Sequence, residues 1–441
     1  MDYVLIKNGK IVVDGKLCPK DVLIGNDKII EIENDIERPE PETPVIDANG
    51  KILIPGAVDT NILFSDLIGQ DNSALIRFNQ AHISCGTTTV VEPLNCMASV
   101  NCTEELISKK HVAPDINADY GYHLTFNNWE SIDAKDVEQC YAHEGIASFY
   151  LRWPIKQKKI NKVKSLFEVA AKADTPVLID MQKPGDWEES HAVMSKVYME
   201  TITNHLSQLR RVLDLAIQTG CIVCVLNVCF EEELSLIEQT MTDGKIYAEL
   251  TFPFHIADSD RIVVDDNSIY SGFPIVDKLK LIPEEDIWRC IKHSNFFIAR
   301  PMMKLSGKGI LKDSQVDNRP DEYILMKNLL SVLYTWGVAK GNMSFEQLID
   351  LVSCRTAKFM GVYPQKGIIR IGSDADIIIW NSDYKRNLYC HLPGMHEASS
   401  NSFALEGRVE FVFIKGCMVY NGENYSVDKV KGRYLYRSPY L

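Results

Sequence analysis

Apolar and polar positions alternate in short segments over the first fifty residues of the chain. The strand-like segments, separated by turn pairs such as Asn8-Gly9 and Asp14-Gly15, are residues 3–7, 10–13, 21–24 and 28–32. Turn signals this closely spaced are typical of antiparallel hairpins. The pattern therefore predicts a small antiparallel sheet at the amino-terminal end.

From residue 52 the pattern changes to apolar runs that alternate with longer amphipathic stretches such as Lys162–Lys172 and Thr201–Gln218. The eight runs are Leu53–Asp59, Thr87–Glu92, Ala118–Thr125, Ala147–Arg152, Pro176–Met181, Ile222–Val228, Ile246–Thr251 and Asn295–Arg300. Parallel strands that are buried on both faces read as near-continuous apolar runs. Eight of them alternating with helices predict an α/β fold, a (β/α)8 TIM-type barrel.

Antiparallel-type strand patterns return after helical stretches at Tyr323–Trp336 and Phe345–Met360. They are Ala375–Trp380, Val409–Lys415 and Met418–Tyr420. Each end of the chain alone is too small to cover a hydrophobic face. We therefore expect both ends to form one small composite β-sandwich, with residues 1–53 and 370–441 in it and residues 54–369 in the barrel.

Composition narrows the function classes. The 441 residues are 46% apolar and 24% charged, which is typical of a globular protein. The formal net charge of −13 argues against nucleic-acid binding, which needs clustered Lys and Arg. The first residues do not resemble a signal peptide, and no apolar stretch reaches the roughly 20 residues of a membrane helix. We expect a cytoplasmic protein without nucleic-acid or membrane partners.

Twelve cysteines are scattered without the spacing of a disulfide scaffold, which favours a reducing compartment. Cys221 and Cys224 form a Cys-x-x-Cys pair in a strand-like run. An odd separation on a strand points two side chains to opposite faces, so the pair does not suit one metal. We interpret these cysteines as buried strand thiols.

Four strings identify the chain by resemblance: GKILIPGAVD (50–59), GTTTVVE (86–92), YPQKGIIRIGSDADIIIW (363–380) and GRYLYRSPY (432–440). They are similar to the dihydropyrimidinase and hydantoinase branch of the amidohydrolase superfamily, which includes animal dihydropyrimidinase-related proteins without enzyme activity. The resemblance implies a homo-oligomer, typically a tetramer, in which the tail after Gly432 reaches a neighbour. Aromatic and basic residues of the tail suit that interface: Tyr434, Tyr436, Arg437 and Tyr440.

Enzymes of this branch open cyclic amides with hydroxide that two adjacent divalent metals make available near neutral pH. The resemblance places the metal ligands at the carboxyl ends of barrel strands. They are a His-x-His after strand one, a carboxylated lysine on strand four, histidines ending strands five and six, and an aspartate ending strand eight.

At these positions this chain departs from the pattern. Asn61 and Leu63 stand at the first histidine pair, and only Lys156 matches a ligand position, where without metals it is expected to be an ordinary cation. Strand five leads to Asp180, strand six to Asn227, and strand eight to Arg300, which reverses the charge of the site. We expect no metal and no other cofactor, and hypothesise that Arg300 and Lys156 replace the metals' charge, with Asp180 as counter-ion.

The ten histidines offer no pair at ligand spacing. His123 matches a histidine that does not bind metal in the family, and we interpret it as a structural hydrogen-bonding residue. His255 is interpreted as a loop residue. Helical positions predict surface exposure for the others of interest: His82, His111, His143, His205 and His293.

Two function classes remain open. The first is a non-catalytic homologue that acts as a scaffold, regulatory subunit or small-molecule-binding protein and assembles with itself or an active paralogue. The second is an amidohydrolase that opens dihydropyrimidine- or hydantoin-type rings by an atypical or metal-free mechanism. The first needs fewer assumptions, because five of the six ligand positions are replaced.

Overall fold

A computed structural model describes most of the chain. The residues it describes are 2–13, 15–62, 72–96, 102–111, 116–126, 134–153, 160–181, 194–241, 244–251, 269–270, 273–274, 282–299, 320–390, 401–426 and 429–438.

The predicted barrel strands occur in the predicted order. Residues 3–7 and 10–13, predicted as two strands separated by the turn Asn8-Gly9, instead form one strand with an irregularity between Ile6 and Gly9, because Asn8 takes a φ of 57° within the strand without reversing the chain. The strands are β1 (Tyr3–Val13), β2 (Lys16–Gly25), β3 (Lys28–Glu33), β4 (Val45–Asp47), β5 (Ile52–Pro55), β6 (Ala57–Asp59), β7 (Thr87–Cys96), β8 (Asp119–Phe126), β9 (Phe149–Trp153), β10 (Val177–Met181), β11 (Val223–Val228), β12 (Ile246–Thr251), β13 (Ile269–Tyr270), β14 (Phe273–Pro274), β15 (Phe296–Ala299), β16 (Ile377–Cys390), β17 (Asn401–Ile414) and β18 (Cys417–Tyr420). The α-helices are α1 (Asn72–Ser84), α2 (Cys102–His111), α3 (Ala134–His143), α4 (Ile160–Lys172), α5 (Met194–Thr219), α6 (Glu231–Thr240), α7 (Glu284–Cys290), α8 (Pro320–Leu333), α9 (Phe345–Ile349) and α10 (Arg355–Phe359). Two π-helical segments, Tyr334–Ala339 and Asp350–Cys354, flank α9.

Eight parallel strands form the larger unit in the order β6-β7-β8-β9-β10-β11-β12-β15. The two end strands face each other across a small cavity of about 20 Å³, lined by Val58 and Thr60 on one side and Phe297 and Ile298 on the other. The sheet is therefore curved, which is consistent with a TIM-type barrel. We call the end of the barrel at the strands' carboxyl termini the mouth, and the opposite end the floor.

Alternate residues of each barrel strand face two different cores. On β9, Phe149 and Leu151 pack in the layer under the helices, whereas Tyr150 packs in the barrel interior. Cys221 lies in the outer layer and Cys224 in the interior, and both are free thiols. Both thiols are buried, as predicted, although Cys221 precedes β11 and only Cys224 lies in it; burial raises the pKa of both.

Both ends of the chain contribute to the second unit, as predicted, although the expected sandwich is one continuous sheet in the described strands. Its order is β18-β17-β16-β5-β1-β2-β3, with β4 paired to β1. The predicted strand 53–59 is split at Gly56. The amide of Gly56 donates to the carbonyl of Asp376 in this sheet (2.9 Å), and the amide of Ala57 donates to the carbonyl of Gly86 in the barrel (2.9 Å). A side chain at residue 56 would collide with Thr88.

The carboxyl-terminal tail, residues 432–438, packs on the floor of its own barrel, and a contact of the tail with a neighbour stays a prediction. The amide of Leu435 donates to the carbonyl of Tyr120 at the start of β8 (2.8 Å). Leu435 and Arg437 are buried, whereas Tyr436 is 65% exposed. Tyr440 lies outside the described residues.

An ionic cluster joins the two units below β8. The ammonium of Lys366 lies 2.8 Å from Asp119, 3.0 Å from Asp374 and 2.7 Å from Asp376, and all four side chains are buried. Arg433 of the tail also pairs with Asp119 and Asp374. The cluster thus connects barrel, sheet and tail. Among the described residues no helix is long and apolar enough to cross a bilayer.

Candidate functional site

The mouth of the barrel is the candidate site, because in this architecture functional residues project from the carboxyl ends of the strands. Three of the six positions singled out in the sequence are described there. Asn61 follows β6, Asp180 lies on β10, and Asn227 lies on β11. Leu63, Lys156 and Arg300 lie outside the described residues, and so does His255.

Asp180 faces the barrel interior and accepts a hydrogen bond from the phenol of Tyr150 on the neighbouring strand (2.9 Å). Tyr150 is buried, and burial raises its pKa well above the usual value, with the charge of Asp180 adding to the effect. The phenol therefore stays protonated and acts as a hydrogen-bond donor. Arg152 pairs in register with Asp180 and is exposed at the mouth.

On the other side of the mouth, the hydroxyl of Thr60 donates to a carboxylate oxygen of Glu249 on β12 (3.2 Å). Glu249 is 4% exposed. Its negative charge is also among the groups that raise the pKa of Tyr150. Two inward-facing carboxylates, Asp180 and Glu249, therefore act on the same phenol.

His123 of β8 is fully buried and uses both ring nitrogens. Nε2 lies 2.6 Å from the carbonyl oxygen of Thr60, and Nδ1 lies 2.6 Å from the hydroxyl of Ser148. Burial, followed by the charge of Arg437, lowers the pKa of His123 to about 3, so the ring is neutral. This confirms the interpretation of His123 as a structural hydrogen-bonding residue.

Asn61 and Asn227 occupy irregular backbone at two strand ends. The amide of Asn61 donates to the carboxylate of Asp59 (3.2 Å), while its buried side-chain oxygen has no hydrogen-bond partner among the described residues. Asn227 has a φ of 56° and lies within a register shift between Val225 and Val228. Asparagine tolerates this left-handed conformation better than most residues, so backbone geometry favours Asn at this position.

Two of the helical histidines are buried, contrary to prediction. His205 on α5 pairs with Glu233 on α6 (2.6 Å), and the ring of His82 packs on Phe78 (centroids 4.3 Å apart). Histidine can satisfy its nitrogens between helices, so a helical position alone does not predict exposure. His143 and His293 are exposed as predicted, and the side chain of His111 is not described.

Within the part of the chain that the structure describes, no three His, Cys, Asp or Glu side chains converge as a metal site requires. The described part of the mouth instead contains a phenol, two carboxylates, an arginine and two neutral amides. This set can bind polar molecules through hydrogen bonds.

Comparisons with known proteins agree with this architecture. The model of the amidohydrolase family matches residues 77–419. The chain belongs to the amidohydrolase family. It is 22% identical over 472 residues to a D-hydantoinase of Geobacillus stearothermophilus, covering 99% of this chain and 97% of that protein. It is 22% identical over 427 residues to dihydropyrimidinase-related protein 5 of Rattus norvegicus, covering 87% of this chain and 72% of that protein.

Among solved structures, this amidohydrolase resembles the dihydropyrimidinase of Brevibacillus agri NCHU1002. The TM-score is 0.75 at 21% identity, and the match covers 100% of this chain and 99% of the other. The recognition of the dihydropyrimidinase and hydantoinase branch from four sequence strings is thereby confirmed.

Sequence reasoning missed three residues of the site. Tyr150, Thr60 and Glu249 line the interior near the mouth, although none occupies a ligand position of the family pattern. The alternation along each strand carried the signal, because Tyr150 and Arg152 share a face, as do Tyr247 and Glu249.

Proposed function

We propose that this protein is a dihydropyrimidinase-like amidohydrolase that has lost the two-metal centre and acts without hydrolysing cyclic amides, as a ligand-binding, regulatory or scaffold subunit. The observation that carries the proposal is the Tyr150–Asp180 hydrogen bond at the end of β10, the fifth strand of the barrel, where the family pattern calls for an imidazole. Because the phenol stays protonated, the carboxylate of Asp180 accepts a hydrogen bond from a neutral group inside the protein.

The described donors do not fit two divalent cations. Such a centre needs several imidazole and carboxylate ligands around each ion. Asn61 and Asn227 are neutral amides, and His123 has both nitrogens engaged by Ser148 and Thr60. The remaining positions of the pattern, Leu63, Lys156 and Arg300, contribute one apolar and two basic side chains by sequence.

The mouth still suits a small polar ligand. The buried side-chain oxygen of Asn61 is an acceptor without a partner among the described residues, and buried polar atoms normally have one. Arg152 presents a positive charge beside the carboxylate of Asp180. A ligand that brings N–H donors would satisfy Asn61, so we propose that ligand binding is what the altered site retains.

Elemental analysis and a ring-opening assay test the proposal together. We expect purified protein from zinc-supplemented cultures to carry far less than one metal ion per chain and to leave dihydrouracil and hydantoin unopened. A D-hydantoinase prepared in parallel is the positive control. Two metal ions per chain with turnover would refute the proposal.

Turnover without metal would instead support the second class, a metal-free amidohydrolase. Asp180→Asn, compared with the surface control Asp286→Asn on α7, then separates true from contaminating activity. True activity falls only in Asp180→Asn, whereas a contaminant is unaffected by either change.

We further propose that the protein is a cytoplasmic homotetramer that also assembles with an active paralogue. The exposed ring of Tyr436, with the Lys110 ammonium 4.4 Å from its centroid, offers an aromatic and basic contact beside the tail. Light scattering should give four times the chain's mass, and Tyr436→Ala should lower it. A monomer at micromolar concentration would contradict this assembly.

A further inference from the structure

A line of buried polar groups crosses the barrel from floor to mouth. It runs from the tail to the first barrel strand through Arg437, Ser148, His123 and Thr60. We call these four residues the polar line. Each member comes from a different part of the chain, so the contacts join the tail, the residue before β9, strand β8 and the residue after β6.

Arg437 forms the floor end of the line. Its guanidinium donates to the carbonyls of Tyr122 and Met360 and to the hydroxyl of Ser148 (2.9 Å). No carboxylate among the described residues lies within ion-pair distance. Gly121 provides the space, since a Cβ there would lie 3.0 Å from Nε of Arg437. Burial lowers the pKa of Arg437 to about 10, and the group stays charged at neutral pH.

The middle of the line has one direction of hydrogen bonding. A backbone carbonyl only accepts, so Nε2 of His123 carries the proton and donates to Thr60. Because the ring is neutral, Nδ1 is an acceptor, and the hydroxyl of Ser148 donates to it. Arg437 can only donate, so it leaves the Ser148 proton free to point at His123.

Thr60 forms the mouth end. Its carbonyl is held by His123 and its hydroxyl binds Glu249. Two residues further on, the amide of Ile62 donates to Val91 (3.2 Å), a long hydrogen bond at the point where the chain leaves β6. Residues 57–59 pair with β7, whereas the residues that follow, including Asn61 of the candidate site, are held by these bonds and by the hydrogen bond from the Asn61 amide to Asp59.

We propose that docking of the tail on the floor sets the conformation of the mouth segment 57–62 through the polar line. An arginine buried without a carboxylate is costly, and an apolar side chain would fill the same space more cheaply. The polar line accounts for the buried Arg437, because hydrogen bonds from Arg437 through Ser148 and His123 couple the position of the tail to the backbone of Thr60. The inference goes beyond the proposed function and holds whether or not the barrel is catalytic.

Three variants separate tail docking from transmission. Ser148→Ala cuts the line in the middle while Arg437 keeps its contacts with Tyr122 and Met360. Arg437→Met removes the floor end. Ser438→Ala, at an exposed residue of the tail, is the matched control. Amide hydrogen exchange is measured for residues 57–62, 177–181 and 432–438, and the ring ¹⁵N shifts of His123 report the state of Nδ1.

We expect Ser148→Ala to speed exchange of residues 57–62 about five- to tenfold, the effect of losing about one hydrogen bond, while 432–438 and 177–181 stay protected. Arg437→Met should speed exchange in both 57–62 and 432–438, and both variants should shift Nδ1 of His123. Ser438→Ala should change none of these.

Unchanged exchange of 57–62 in Ser148→Ala would overturn the inference, since the tail would then be docked without any influence on the mouth. An equal rise in 177–181 would also overturn it, because the effect would be general loosening. A failure of Arg437→Met to fold leaves Ser148→Ala to decide.

Discussion

Replacing Lys366 by Met tests the ionic cluster that joins barrel, sheet and tail. The variant keeps an unbranched apolar stem and removes the one ammonium that touches Asp119, Asp374 and Asp376. Their nearest oxygens lie within 3.0 Å of the same nitrogen, so any two are no more than about 6 Å apart. Removing the Lys366 ammonium therefore leaves three buried carboxylates close to each other.

The expected loss of stability is large. Two carboxylates 5 Å apart repel by about 3 kcal/mol at an effective dielectric constant of about 20. Arg433, Lys28 and Lys415 remain and offset part of this repulsion. Breaking a buried ion pair by removing one partner costs about 3–5 kcal/mol, which we expect for Lys366→Met. That loss is a large fraction of the free energy of unfolding of a typical domain, which is roughly 5–15 kcal/mol.

Urea unfolding at pH 8, followed by tryptophan fluorescence and circular dichroism, measures the loss. The matched control is Lys385→Met, which removes an exposed ion pair with Glu406 (3.2 Å) and should cost less than about 1 kcal/mol. If the two variants unfold at the same urea concentration, the cluster contributes no more than a surface pair, and the reasoning is refuted.

The cluster also predicts a pH dependence. Lys366, Lys28 and Arg433 hold the pKa of Asp374 below its usual value against the effect of burial. At Asp374 the unfolded chain therefore binds more protons than the folded protein near the unfolded pKa of about 4, and the stabilisation from this carboxylate is lost as the pH falls. Burial raises the pKa of Asp376, which acts in the opposite direction. In Lys366→Met the carboxylates take up protons in the folded state, so the difference from wild type should shrink from pH 8 to pH 5. A constant difference would contradict this account.

Two further predictions concern the mouth and the tail. Tyr150→Phe removes the donor to Asp180 and should cost about 1–3 kcal/mol in urea unfolding; no change would mean that the hydrogen bond contributes nothing to stability. Gly361→Ala should expose the tail to limited proteolysis, because Gly361 has a φ of 69° and a Cβ would lie 1.7 Å from the carbonyl oxygen of Ser438; a tail still protected from proteases would show that the floor adapts to the added methyl.

The barrel could be predicted because its strands are buried on both faces and so read as apolar runs such as Ile222–Leu226. The mouth could be located in part, since Asp180 follows directly from its place at a strand end. The contacts that define the site could not be predicted. Arg437 and Ser148 are 289 residues apart, and no periodicity records which tail residue turns inward. The tail's own aromatic and basic composition favoured an interface, whereas the space left by Gly121 decides that Arg437 is buried.

The split sheet has a consequence for synthesis of the protein. Strand β5 is completed early but pairs with β16, Ile54 opposite Ile378, so its hydrogen-bonding edge is open until more than three hundred further residues have left the ribosome. An open apolar edge is a template for wrong pairing between nascent chains. The amino-terminal hairpins therefore form before β16 is available to pair with β5, and the ion pairs of Arg433 with Asp119 and Asp374 can form only later still.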